Sequence, residues 1–281
     1  MFFLTARGID ISKHNGKIDF KKVKAAGIDF VMIRAGFGSS TVDERFHANI
    51  KGAQAHGIKC GVYWFSYAYT PQMARKEAAK CLDTIKGYRL QYPVAFDFEY
   101  ASVEYAKSEG VHITKEIASQ ISDEFLSTVA EAGYDVLLYA NIDYCNNYFT
   151  DAVKNKYPLW LAAYRDTEPS LGQVIWQHTE RGRVDGIRGA VDLNISRLSD
   201  TSKKAGGDDT VNINLPVLQK GSQGNTVKAV QQLLVAKGYK SGKTDGIFGV
   251  NTEAAVKKFQ ATKDLTADGI VGKNSYNALL K

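Results

Sequence analysis

Cysteine is scarce in this 281-residue chain. Cys60, Cys81 and Cys145 stand far apart, form no C-x-x-C pair and leave one over, which excludes a disulfide framework and a cysteine-based zinc cluster and marks them as reduced core thiols. Proline is equally sparse, with 5 residues, and 44% hydrophobic against 23% charged residues excludes disordered, collagenous and low-complexity readings for most of the length. No apolar run approaches the roughly 20 residues of a membrane span, so no membrane insertion is expected. The opening Met1, Phe2, Phe3, Leu4 is too short for a signal peptide, and any export is expected to use another route. Histidine is dispersed (His14, His47, His56, His112, His178), so neither a metal site nor a cofactor is expected.

An excess of charge of either sign is missing from most of the chain. Residues 1–200 carry 24 Lys and Arg against 24 Asp and Glu, whereas residues 201–281 carry 12 against 6, so the whole net charge of +6 lies in the tail. The charge break coincides with a polar stretch at 199–214 (SDTSKKAGGDDTVNIN) in which no apolar period survives. The expected division is a domain over residues 1–199, a linker over 200–214 and a small basic domain over 215–281.

Before the linker, eight short apolar runs read as strands: residues 8–11, 30–35, 60–67, 94–100, 136–140, 159–164, 174–176 and 190–195. Helical patterns at 21–26 and 43–56, another opening at Thr70 with Pro71 in the first turn, and a long one at 113–132 alternate with the early strands. That alternation predicts an α/β fold with a parallel sheet. Eight strands with about five helices, thinning after Asn141, predict a TIM-like (β/α) barrel with reduced outer helices.

Chemistry in such barrels gathers at the C-terminal strand ends, where this chain carries carboxylates: Asp10, Asp97, Glu99 and Asp192. Alternation along a strand puts Asp97 and Glu99 on one face and Phe96 and Phe98 on the other. Isolated strand-end acids such as Asp10 or Asp192 commonly pair with a Lys or Arg. Two acids side by side in an apolar strand instead cost stability through desolvation and like-charge repulsion. A raised carboxyl pKa is useful in cleaving a glycosidic bond, which needs one protonated acid for the leaving oxygen and a second group for the charge at the anomeric carbon. Tyr63, Tyr67, Tyr139, Tyr164 and Trp176 fall at or near strand ends, where aromatic faces could pack on sugar rings.

The motifs G-I-D-I-S at the start, G-V-Y-W-F around Tyr63, D-F-E at 97–99, W-L-A-A-Y at 160–164, I-W-Q at Trp176 and V-D-L-N at the domain end follow in an order and spacing that resemble glycoside hydrolase family 25 over about residues 7–198. The resemblance implies a lysozyme of the bacterial and phage endolysin type, a β-1,4-N-acetylmuramidase. Such an enzyme cuts peptidoglycan between N-acetylmuramic acid and N-acetylglucosamine. It implies Glu99 as general acid/base and Asp97 as its partner, either the nucleophile or the group orienting the substrate's own acetamido oxygen, with Asp10 and Asp192 flanking the pair. Members usually have His after the Tyr of the second motif; this chain has Trp64.

The tail predicts a small all-α, three-helix domain: a helix capped at Asn225, a second at 252–260 and a third at 275–280. The turns before the last two repeat as D-G-I-F-G-V-N from Asp245 and D-G-I-V-G-K-N from Asp268, with Asn251 and Asn274 as expected caps. The tail is similar to the peptidoglycan-binding domain 1 family, which implies bacterial peptidoglycan, with anionic wall polymers, as the partner. Turn and cap are the expected roles of the individual Asp and Gly residues. Nucleic acid is not expected, because basic and aromatic residues do not interleave. The resemblance further implies manufacture in the bacterial cytoplasm and action on the wall after release. The rival readings are a chitinase-like glycosidase and a catalytically dead wall-binding protein.

Overall fold

The computed structural model describes residues 5–198, 216–263 and 265–280, and the chain divides into two compact units, Met1–Ala205 and Gly206–Lys281. The expected linker at 200–214 lies outside the described residues.

The first unit runs β1 (Ala6–Ile11), α1 (Phe20–Ala25), β2 (Phe30–Phe37), β3 (Thr41–Val42), α2 (Phe46–Ala55), β4 (Lys59–Phe65), α3 (Pro71–Ile85), β5 (Val94–Asp97), α4 (Tyr100–Ser108), α5 (Lys115–Glu131), β6 (Val136–Asn141), α6 (Ile142–Asn147), α7 (Asp151–Lys156), β7 (Leu159–Ala162), β8 (Ile175–Gly182) and β9 (Val191–Ser196). The sheet order β1-β9-β8-β7-β6-β5-β4-β2 is closed by pairing of β1 with β2, giving a barrel of eight strands, and the two-residue β3 adds a hairpin at the rim of β2. Among the described residues no helix separates β7, β8 and β9, so the expected loss of outer helices is found there.

Two features differ from the sequence reading. The barrel is not parallel throughout: β9 runs antiparallel to both β8 and β1. Residues 183–190 between β8 and β9 form a short return with no helix, and without a crossover the chain must come back in the opposite direction. The D-F-E strand also stops at Asp97, and Glu99 instead caps α4, its backbone N–H donating to Ser102 Oγ at 3.1 Å.

Side-chain alternation builds two cores. Phe30, Met32, Ala95, Leu137, Tyr139, Trp160, Ala162 and Ile175 point inward and fill the barrel. Their neighbours Val31, Ile33, Phe96, Leu138, Leu161 and Trp176 point outward and pack under the helices, where the three cysteines are buried as free thiols. Gly8 on β1 gives way to the Phe30 ring, since a Cβ there would lie 2.2 Å from it. Helices α3 and α5 start as capping rules require, with Thr70 and Thr114 accepting from Met73 N and Ile117 N.

The second unit contains α8 (Asn225–Ala236), α9 (Val250–Thr262) and α10 (Lys273–Leu280) around Leu218, Val230, Leu234, Phe248, Val256, Phe259, Val271 and Leu279. Its two D-G-I-x-G turns are stitched identically. Gln231 Nε2 donates to Asp245 Oδ1, Ile247 O and Thr252 Oγ1 while Gly246 N donates to Gln231 Oε1. Gln260 does the same with Asp268, Ile270, Ser275 and Gly269. Each aspartate also accepts from the backbone N–H two residues on, at 2.9 Å. The caps are glycines, not asparagines: Gly224 precedes α8 and Gly249 precedes α9, while Asn225 and Asn251 lie inside the helices, as does Asn274 in α10.

Candidate active site

The inward-facing rows end in a cleft of about 360 Å³ at the C-terminal mouth of the barrel. All four expected carboxylates line it: Asp10 from β1, Asp97 from β5, Glu99 just beyond it, and Asp192 from β9. Tyr63, Tyr139 and Tyr164 line it too. Tyr67 and Trp176 do not. Tyr67 follows β4 and packs by edge contacts on Phe37 and Tyr105, and Trp176 is 6% exposed, faces the helix layer and donates from Nε1 to Ala163 O at 2.8 Å. The expected substrate role of Trp176 is therefore corrected by strand parity: Gln177, one residue on, is the inward side chain. Parity likewise removes Trp64 from the cleft, since it is buried and its Nε1 donates to Gly38 O.

Hydrogen bonds tie the floor together. Asp10 Oδ2 accepts from Gln177 Nε2 and Asn194 Nδ2, both at 2.8 Å. The Gln177 oxygen accepts from Tyr139 OH and Tyr164 OH at 3.0 and 3.1 Å, and Asn194 Oδ1 accepts from Trp160 Nε1 at 2.8 Å. Gln177, Asn194 and Trp160 escape a search for ionisable residues, although their inward parity was readable. Behind the rim, buried Glu77 of α3 accepts the backbone N–H of Tyr67 at 3.0 Å and fixes the turn after β4, its carboxyl pushed up to about 7 by burial.

Electrostatics separate the four acids. Burial raises Asp10, and its amide hydrogen bonds pull the other way. Asp192, its direct cross-strand partner, is pushed up to about 8 by burial and by the charge of Asp10. Asp97 is held well above the ordinary carboxyl range by burial, Glu99 and Asp10, with Arg34 the one opposing influence. Glu99 is raised by burial, against a hydrogen bond from Tyr139. One always-basic side chain, Arg34, lines the cleft among the described residues, and it too went unforeseen. Its signal was a charged residue in an apolar run (FVMIRAGF) with the inward parity of Phe30 and Met32. Glycosidic cleavage needs a carboxyl that can hold a proton beside a second group that stabilises positive charge, and Asp97 and Glu99, both raised, stand side by side here.

Residues 9–187 match the Glycosyl hydrolases family 25, and residues 223–279 match the Putative peptidoglycan binding domain. The chain belongs to glycosyl hydrolase family 25. It is similar to the "Autolytic lysozyme" of Clostridium acetobutylicum, with 32% identity over 97% of this chain and 78% of the relative. "Lysozyme M1" of Streptomyces globisporus is 28% identical over 67% of this chain and 66% of its own length. Among solved structures, the modular autolysin LytC of Streptococcus pneumoniae superposes with a TM-score of 0.60 at 30% identity, covering 68% of this chain and 46% of that one. The barrel of this family 25 chain is thus shared with cell-wall lytic enzymes, and its tail belongs to a peptidoglycan-binding family.

Proposed function

We propose that this family 25 protein is a lysozyme that hydrolyses the β-1,4 bond between N-acetylmuramic acid and N-acetylglucosamine in peptidoglycan, with Glu99 and Asp97 as the reacting pair. The observation that carries the reading is the convergence of Asp97 and Glu99, both with raised carboxyls, in one tyrosine-lined cleft. Glu99 in its acid form protonates the glycosidic oxygen as the C1–O bond breaks, and its carboxylate later takes a proton from the water that attacks C1. Asp97 stabilises the positive charge at C1, either by bonding to it or by orienting the acetamido group whose carbonyl oxygen attacks. Asp10, held by Gln177 and Asn194, and protonated Asp192 support the sugar and the charge state of Glu99. Tyr63, Tyr139 and Tyr164 offer ring faces and hydroxyls to the sugars.

The tail, from about residue 215, is proposed to anchor the enzyme on the wall, its Lys excess adding attraction to anionic wall polymers, with residues 200–214 as the connection. The pneumococcal relative has been solved with a synthetic peptidoglycan ligand, which supports the same partner here. Reducing-end analysis of digested peptidoglycan tests the reading. Muramic acid ends are expected; N-acetylglucosamine ends would point to another glycosidase, and no new ends to a binding protein.

A further inference from the structure

We propose that Arg34, gripped by Asp43, is a positioning residue for the reaction, supplying the counter-charge that lets Asp97 act as an anion among four other carboxyls. The inference rests on the lysozyme reading in assigning Asp97 to the reaction, but its physical basis is independent of that reading.

Gathering five acids around one cleft, with Asp10 and Asp97 buried, is costly unless something offsets their mutual repulsion. The groups that face Asp97 are Glu99 beyond β5, Asp10 on β1, Asp192 on β9, the neutral phenols of Tyr63 on β4 and Tyr139 on β6, and Arg34 on β2. His14, from the turn after β1, Tyr164 and Glu180 of β8 also line the cleft. Of these, Arg34 alone lowers the cost of charge on Asp97. Asp97 Oδ1 and Arg34 Nη2 are both buried with no hydrogen-bond partner among the described residues, an unusual state for two buried polar atoms of opposite charge. Both groups line the same cleft, so each has unspent hydrogen-bonding capacity that can be directed toward the other or toward a sugar held between them.

The local chain is built to hold Arg34 in place. The β2–β4 register slips between Arg34 and Gly36, so that Ala35 is a bulge residue directly after the arginine, and bulges re-aim side chains. The β2–β3 hairpin then folds back tightly. Gly36 is required there because a Cβ would lie 2.3 Å from Thr41 O and 2.5 Å from the Trp64 ring. That return delivers Asp43, whose backbone N–H donates to Ala35 O at 3.0 Å. The fully buried Asp43 carboxylate accepts from Arg34 Nε at 2.8 Å and from the backbone N–H groups of Lys13 and Arg45 at 3.1 and 2.9 Å. With Nε fixed, the guanidinium keeps one orientation while Nη2 stays uncommitted. Asp43 also joins the β1–α1 turn to β2, so Arg34 and the loop bearing Ser12 and His14 are held by one carboxylate.

The test compares wild type with Arg34→Met, Arg34→Lys and Asp43→Asn. The acidic limb of kcat/KM on peptidoglycan reports ionisation of Asp97, and Arg34→Met should move it upward by about one pH unit, the low end for loss of an opposite charge at close range. Arg34→Lys should recover most of that shift, and Asp43→Asn should give an intermediate one. A readout independent of turnover is the ¹³C carboxyl shift of Asp97, assigned by its disappearance in Asp97→Asn: its titration should move up in Arg34→Met and little in Arg34→Lys. Should Arg34→Met not fold, Asp43→Asn carries the same two measurements. Unchanged titration of Asp97 in a folded Arg34→Met or Asp43→Asn, or an acidic limb equal to wild type, overturns the proposal. If wild type leaves peptidoglycan uncut, the lysozyme reading fails, and the carboxyl titration still decides whether Arg34 is the counter-charge.

Discussion

Asp10 on β1 and Asp192 on β9 stand directly opposite one another across an antiparallel strand pair, two carboxyls in cross-strand register at the mouth of the barrel. Like charges so placed repel. Their surroundings differ: burial raises Asp10 while two amide hydrogen bonds pull it back, and Asp192, without those amides, is pushed up to about 8. The pairing exists because β9 reverses direction.

This arrangement makes stability depend on pH in a defined sense. Asp192 is raised from 3.8 to about 8, so between those values the native state holds a proton that the unfolded chain has released. Its stabilising contribution is complete at low pH and is lost as pH rises through about 8. Asp192→Asn removes that slope, and its melting temperature should gain on wild type progressively from pH 4 to 9. A difference that stays constant with pH would contradict the assignment.

The single hydroxyl proton of Tyr139 can go to Gln177 or to Glu99, and hydrogen bonding to the carboxyl lowers Glu99 against the burial that raises it. Tyr139→Phe should therefore slow turnover and move the alkaline limb of the rate profile to higher pH, because Glu99 then keeps its proton longer. A limb that stays put or moves down would sever the link between Tyr139 and Glu99.

Trp176 and Tyr164 are expected to behave oppositely. Trp176→Phe loses the bond to Ala163 O and core contacts, costing about 1 to 3 kcal/mol of stability with KM unchanged. Tyr164, 52% exposed at the cleft, should raise KM when changed to Ala and leave the melting temperature nearly unaltered. Thermal denaturation beside steady-state kinetics separates the two.

In the tail, Gln260→Ala leaves the Gly269 N–H and the Ile270 carbonyl without their partner. It should destabilise this domain by roughly 2 to 3 kcal/mol. Hydrogen exchange of the full chain should show faster exchange across α9 and α10 with the barrel unaffected. If wall co-sedimentation of the full chain falls with the loss of tail protection, the folded tail is the anchor. Binding that persists with an unprotected tail would place the anchor elsewhere.

The barrel was legible because its strands are short apolar runs and its early helices carry their own start signals, as at Thr70 and Pro71. Asp10, Asp97, Glu99 and Asp192 were legible because charge in an apolar strand is expensive and conspicuous. Direction was not: strand pattern in 190–195 is the same whether the strand runs up or down, and only the short return from β8 decides it. Trp176 was misplaced because residue type was weighed ahead of parity, by which Gln177 faces inward. Arg34 and Gln231 show the remaining gap. Each matters through partners distant in sequence or outside any regular motif, namely Asp97 for the one and a glycine turn for the other.

The central claim is that the cleft acids cut peptidoglycan with Glu99 as the proton donor. The most direct measurement is turnover of purified peptidoglycan by Glu99→Gln, with its fold verified by circular dichroism and melting. An amide keeps the shape of the side chain but holds no transferable acid proton, so release of muramic acid reducing ends should fall by at least about a thousandfold, within the range general acid catalysis contributes. A folded Glu99→Gln that retains more than about a tenth of wild-type turnover would contradict the account, since general acid catalysis of that size would then have to come from another residue.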